Sequence, residues 1–147
     1  MRTWTRLLRA YASTTRRLST ELQAEHGLSI NDYEALYVLA RAEGRRMRRV
    51  DLARRLVLTP SGVTRLLEGL ERSGLVERAS CDADLRVTYA QLTEKGAARL
   101  DAASCSHVGS VRALFEQSLS DDELLLLGDL LGKLPGVAVG DDSCAAG

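Results

Sequence analysis

Ser61, Gly62, Thr64 and Arg65 stand in one short stretch, interleaved with Val63, Leu66, Leu67 and Leu70. Apolar residues recurring at intervals of three and four share one face of a helix. The small polar residues, the arginine and Glu68 therefore fall on the other face. Hydroxyls and a guanidinium can hydrogen-bond to base edges, and side chains this small let a helix approach the floor of a major groove. The same pattern fits an ordinary amphipathic helix, so the stretch needs its neighbours to decide its use.

Those neighbours supply a way to hold it. Upstream, Leu52, Ala53 and Leu56 share one face of a shorter helix. After Val57 and Leu58, Thr59 is placed to cap the next helix, and Pro60 suits its first position, where a missing N–H costs nothing. Gly74 provides the left-handed residue that ends it. Two β-rich segments follow, Leu75 to Ser80 and Arg86 to Leu92, bridged by a polar turn from Cys81 to Leu85. This predicts a helix-turn-helix followed by a hairpin with Arg86 at its tip and Asp84 placed to orient it. Such an arginine suits the negative potential of a narrow minor groove.

The 147 residues carry 20 basic and 20 acidic side chains, a net charge of zero that argues against nucleic acid until its distribution is considered. Between Arg41 and Arg78, ten arginines face five carboxylates, whereas from Asp101 onward eight carboxylates face Arg112 and Lys133. Positive charge thus gathers where the helix pair lies, as a phosphate footprint requires. Its densest point is Arg45-Arg46-Met47-Arg48-Arg49, from which Arg48 and Arg49 are expected to meet the DNA backbone.

Leu-Ala-x-x-Leu at 52–56, Thr-Pro-Ser-Gly-Val-Thr-Arg-Leu at 59–66, Gly-Leu-Val-x-Arg at 74–78, Asp84-x-Arg86 and Leu92-Thr93-Glu94-Lys95-Gly96 together resemble the MarR family of bacterial transcriptional regulators. The resemblance covers roughly residues 4 to 134. It implies a winged helix-turn-helix dimer that binds palindromic operators and leaves them on meeting a small ligand or an oxidant. Two positions depart from the pattern: Leu85 stands where many relatives carry a second arginine, and Ala90 where a branched residue is usual.

The remaining segments read as a scaffold. Trp4, Leu7, Leu8, Tyr11, Thr15, Leu18 and Leu22 keep a helical stripe that Gly27 ends. A second helix opens at Ser29, turns Tyr33, Leu36, Tyr37 and Ala40 inward, and ends near Gly44. A long stripe through Leu100, Ala103, His107, Val111 and Leu114 follows Thr93, and Ser120 with Glu123 forms a capping box for a last helix. The expected fold is mostly α with a small β-wing: a winged helix-turn-helix at about 45–92, and dimerisation helices at about 4–26 and 94–134. These make one domain over 1–136, with a disordered tail at 137–147. The terminal stripes would be covered by a second copy in a two-fold homodimer.

The DNA-binding set is then Arg48, Arg49, Thr59, Ser61, Gly62, Thr64, Arg65, Asp84 and Arg86, on double-stranded DNA carrying an inverted-repeat operator. A crevice between scaffold and reading head would be lined by Tyr11, His26, Tyr33, Tyr37 and His107, and the resemblance suggests a small aromatic or phenolic effector. The function expected is a sequence-specific regulator, a repressor before an activator.

Other classes find little footing. Two histidines, without Cys-x-x-Cys or His-Glu-x-x-His spacing, leave no metal site and no cofactor to propose. Cys105 and His107 are two apart and diverge on a helix, so no nucleophile–base pair forms and no enzyme is expected. No apolar run approaches the roughly 20 residues of a membrane span. The opening Met1-Arg2-Thr3-Trp4-Thr5-Arg6 lacks a signal-peptide core, so a cytoplasmic protein is expected. Two alternatives stay open. One is a thiol-sensing repressor using Cys81, Cys105 or Cys144; the other is a winged-helix module that binds protein, against which the arginine asymmetry counts.

Overall fold

The computed structural model describes residues 1–81 and 84–134, with side chains given outside 81–87. Six helices and a small three-stranded antiparallel sheet follow in the order α1 (Arg2–His26), α2 (Ile30–Ala40), β1 (Arg46–Arg48), α3 (Arg49–Arg55), α4 (Pro60–Arg72), β2 (Val76–Cys81), β3 (Asp84–Leu92), α5 (Glu94–Glu116) and α6 (Asp121–Gly132), with a short 3₁₀ turn at Glu43–Arg45. The mostly α architecture with a β-wing is the one expected. Packing groups the residues into two units, Met1–Gly109 and Ser110–Gly147.

The local signals act as their chemistry predicts. Ser29 and Asp32 cap α2 reciprocally: the Ser29 N–H donates to the Asp32 carboxylate at 2.8 Å, and the Asp32 N–H donates to the Ser29 hydroxyl at 3.2 Å. Thr59 accepts from the Gly62 N–H at 3.1 Å, and Pro60 opens α4. Gly27, at φ 66°, closes α1.

Three expectations are revised. The second helix stops at Ala40, and Gly44 instead sits inside the 3₁₀ turn at φ 62°. A third strand, β1, precedes α3 and pairs Met47 with Ala90. Three residues at a sheet edge carry no alternation long enough to be read from sequence. The hairpin connection is also shorter than expected. Strand β2 runs to Cys81 and β3 begins at Asp84, so Cys81, Asp84 and Leu85 lie in strands rather than in the turn, and Arg86 is set back from the tip. Only residues 82–83 connect the strands, and they lie outside the described residues, as does the tail expected at 137–147.

The core of the first unit gathers Leu22, Leu28, Leu36, Leu39, Leu52, Leu56, Val63, Leu67, Leu70, Val76, Ala90, Leu92 and Leu100 from α1 through α5. Burying each leucine contributes about 1.5–3 kcal/mol. In α1 the half near His26 is anchored by Leu18 and Leu22, while Trp4, Leu7, Leu8 and Tyr11 stay exposed. In the second unit the Ser120 N–H and hydroxyl donate to the Glu123 carboxylate, holding its pKa below the ordinary value. Leu125, Leu126 and Leu130 of α6 are exposed. No helix among the described residues is long and apolar enough to cross a membrane.

Candidate nucleic-acid interface and adjoining cavity

Helix α4 turns Val63, Leu67 and Leu70 into the core and leaves Ser61, Thr64, Arg65 and Glu68 exposed, with Leu66 half-buried. Its start is drawn tight. A Cβ at Gly62 would stand 3.1 Å from the Thr59 hydroxyl oxygen and 3.7 Å from the Leu58 Cβ, so a bare position helps the cap close. Gly62 is accordingly half-buried rather than fully on the outer face. Thr59 and Ser61 share a hydrogen bond of 3.2 Å. The Thr64 hydroxyl donates back to the Pro60 carbonyl at 2.9 Å. With that donor committed, Thr64 offers an outer surface its methyl group, which is suited to a thymine methyl.

The turn between α3 and α4 holds a conformational anomaly. Val57 has φ 51° and is 91% exposed. Its N–H donates to the Arg54 carbonyl at 3.4 Å and that of Leu58 to the Ala53 carbonyl at 3.1 Å, which closes α3 as a glycine would. A β-branched residue in that region is strained.

The basic cluster is divided by its partners. Arg48 donates through Nε to Asp51 at 2.7 Å, which raises its pKa, and Arg54 reaches the same carboxylate at 3.4 Å. Arg45 pairs with Glu94 at 2.9 Å, and Arg46 lies 5.3 Å over the Tyr89 ring. Arg49 turns inward instead. It pairs with Glu71 at 2.7 Å with both side chains largely covered, and its Nε is buried without a hydrogen-bond partner among the described residues. Truncating it would leave Glu71 partly buried and unpaired. Arg49→Ala is therefore expected to lower stability by about 1–2 kcal/mol, less than for a fully buried pair. Arg48→Ala should leave the melting temperature unchanged and lower the salt slope of DNA binding by about one. Urea titrations with salt-dependent binding check both. An unchanged stability for Arg49→Ala together with a lower slope would assign it to phosphate instead.

Asp84 opens β3 and Arg86 follows it in the same strand; their side chains fall outside those described.

Beside the reading head, Tyr11, Tyr33, Tyr37 and His107 come together as walls of one cavity of about 450 Å³. Tyr33 lies 4.4 Å from the His107 ring and 6.2 Å from Tyr37, and its hydroxyl is 3.3 Å from Ser104 Oγ. Burial lowers the His107 pKa, against a smaller opposing pull from Glu21. His26 does not join this wall; its Nε2 lies 2.7 Å from the Ser106 hydroxyl. Residues that sequence reasoning does not place there complete it: Ile30, Glu34, Val38, Arg55, Leu56 and Val57. Desolvation raises the Glu34 pKa above the ordinary carboxylate value. Arg55 and Val57 lie at the end of the first helix of the pair, and no sequence signal marks them as facing α1 and α2.

Residues 26–86 match the family model described as MarR family. The HTH-type transcriptional repressor YetL of Bacillus subtilis (strain 168) is 35% identical over 115 residues, spanning 76% of this chain and 68% of YetL. The crystal structure of AbsC, a MarR family transcriptional regulator from Streptomyces coelicolor, superposes with a TM-score of 0.79 at 35% identity, covering 88% of this chain and 86% of AbsC. Sco3205, a MarR family transcriptional regulator from the same organism solved in complex with DNA, gives a TM-score of 0.81 at 29% identity over 87% of this chain and 80% of its own.

Proposed function

This chain belongs to the MarR family of transcriptional regulators, and from that premise we propose that it is a homodimeric repressor released from an inverted-repeat operator by a small aromatic or phenolic ligand. The observation that carries this reading is the position of α3. One end of the α3–α4 pair presents the exposed Ser61, Thr64 and Arg65 for a major groove, while Arg55, Leu56 and Val57 wall an aromatic cavity. A molecule in that cavity touches the helix pair directly. It can release DNA by binding better to an arrangement of the heads that misfits the operator.

In this reading Thr59, Ser61, Gly62, Thr64 and Arg65 meet bases and adjacent phosphates, Arg48 meets the backbone, and Arg86, oriented by Asp84, enters the minor groove. The exposed Trp4, Leu7, Leu8 and Tyr11 of α1 and Leu125, Leu126 and Leu130 of α6 supply apolar surface for a two-fold partner. Residues 1–136 then act as one unit in the cytoplasm.

Genomic fragments selected by the full-length chain should enrich inverted repeats with half-sites about 10 bp apart, roughly 34 Å. Fragments recovered without sequence preference would sink the reading. On the enriched duplex, a panel of hydroxybenzoates and hydroxycinnamates should include a molecule that weakens binding. Val38→Phe, which narrows the cavity, should block that response while leaving ligand-free binding intact. Cys105 is free and exposed, which favours the thiol alternative. DNA release by mild peroxide that disappears in Cys105→Ser, with no response to the panel, would replace ligand control by a redox switch.

A further inference from the structure

Three successive backbone carbonyls at the exit of α4 are held by residues at the start of α5. The Lys95 ammonium donates to the Ser73 carbonyl at 2.7 Å, and the Thr93 hydroxyl to the Gly74 carbonyl at 2.8 Å. The Leu75 carbonyl accepts from the Thr93 N–H at 3.1 Å and lies 3.1 Å from its hydroxyl. The same hydroxyl accepts from the Gly96 N–H at 3.0 Å, which starts α5. Gly74 turns the chain there at φ 70°, and Gly96 lets the two backbones meet closely enough for the bonds to form.

We infer that Lys95, with Thr93, is a positioning residue for the reading helix: it fastens the exit of α4 to α5 and fixes the angle at which Ser61, Thr64 and Arg65 are presented. Lys95 binds at the exit of α4, the opposite end of the helix from Ser61. Its charge sits at the negative end of the α4 dipole, where a cation is favoured. Lys95 is exposed, so water replaces its bond to Ser73 at little cost to folding. The loss falls on orientation. Base-edge hydrogen bonds tolerate only about 0.5 Å and 10–20° of error, whereas phosphate attraction tolerates far more. The consequence for DNA rests on the function proposed above; the fastening itself does not.

Two measurements on the full-length chain separate these levels. Hydrogen exchange of the amides from Glu71 to Val76 should quicken in Lys95→Ala and return to wild-type rates in Lys95→Arg, which keeps the charge and the donor. Unchanged exchange in Lys95→Ala overturns the fastening whatever the DNA result. Fluorescence anisotropy then compares a duplex that the wild type selects from random sequence with a scrambled duplex across a salt series. Lys95→Ala should bind the selected duplex about tenfold more weakly, the scale of one misplaced base contact. Its affinity for the scrambled duplex and its salt slope should hold. Equal loss on both duplexes, with a slope lower by about one, would make Lys95 a phosphate contact and overturn the positioning role. Quickened exchange in a chain whose wild type prefers no duplex would retain the fastening and sink the DNA reading alone.

Discussion

Gly96→Ala is expected to destabilise the chain by about 3 kcal/mol, at the upper end for an overpacked core site. Gly96 is buried in the first turn of α5 in ordinary helical backbone, so its need is for space and not for unusual dihedrals. A Cβ there would run into the Leu75 carbonyl oxygen and come within 2.7 Å of Leu92 Cδ1. The carbonyl cannot retreat freely, because Thr93 donates its N–H to it at 3.1 Å. Leu92 is itself buried against Ala90, Val76 and the helices. The helix propensity gained from alanine, about 1 kcal/mol, is too small to offset both clashes. The same substitution serves as its own control elsewhere. At Gly109 and Gly128 a new Cβ would meet nothing within 4 Å, so alanine there should stabilise by up to about 1 kcal/mol. Urea titrations of the three variants check the contrast, and a Gly96→Ala variant within about 0.5 kcal/mol of wild type, the range of an inert surface change, would refute the packing argument.

The second large effect is on binding. Arg65→Ala should lose about 1–3 kcal/mol of operator affinity and relax preference at one base pair. Arg65 is exposed on the outer face of α4, one residue from Thr64. Among the described residues no ion pair ties it down, in contrast to Arg45, Arg48, Arg49 and Arg54. An untied guanidinium on a helix in a major groove can be bidentate to guanine, and truncating it leaves that base edge unread. Stability should barely change, since an exposed side chain contributes little to the core. Affinities on the selected duplex, its single-base variants and random DNA give the test. Equal losses on all three would remove Arg65 from base recognition and leave it a general phosphate contact.

Much of the reading head is legible in the amino-acid sequence because its signals are local. The spacing of Val63, Leu67 and Leu70 sets which face of α4 is buried. Thr59 and Pro60 set where it starts, and Gly74 where the chain turns; each acts within one helical turn of itself. The Ser29 cap and the paired cap Ser120–Glu123 are legible for the same reason, while the structure adds Asp32 as the partner of Ser29. Wing residues are harder, because a strand of three residues such as β1 exists only through its partner β3.

The sequence by itself therefore determined the helices, their caps, the polar face of α4 and the family to which the chain belongs. Tertiary structure decided which arginines are paired and which way they turn. Arg45 and Glu94 are 49 positions apart and Arg49 and Glu71 are 22 apart, so no local pattern could say that one neighbour in Arg45-Arg46-Met47-Arg48-Arg49 turns inward while another faces out. It decided that Tyr11, Tyr33, Tyr37 and His107 share a cavity while His26 bonds to Ser106. It also gave Thr93 and Lys95 their partners, by bringing the exit of α4 against the start of α5. The physical reason is common to all three. Periodicity and capping depend on chain spacing alone, whereas an ion pair, a cavity wall or a shared carbonyl depends on where separate elements meet.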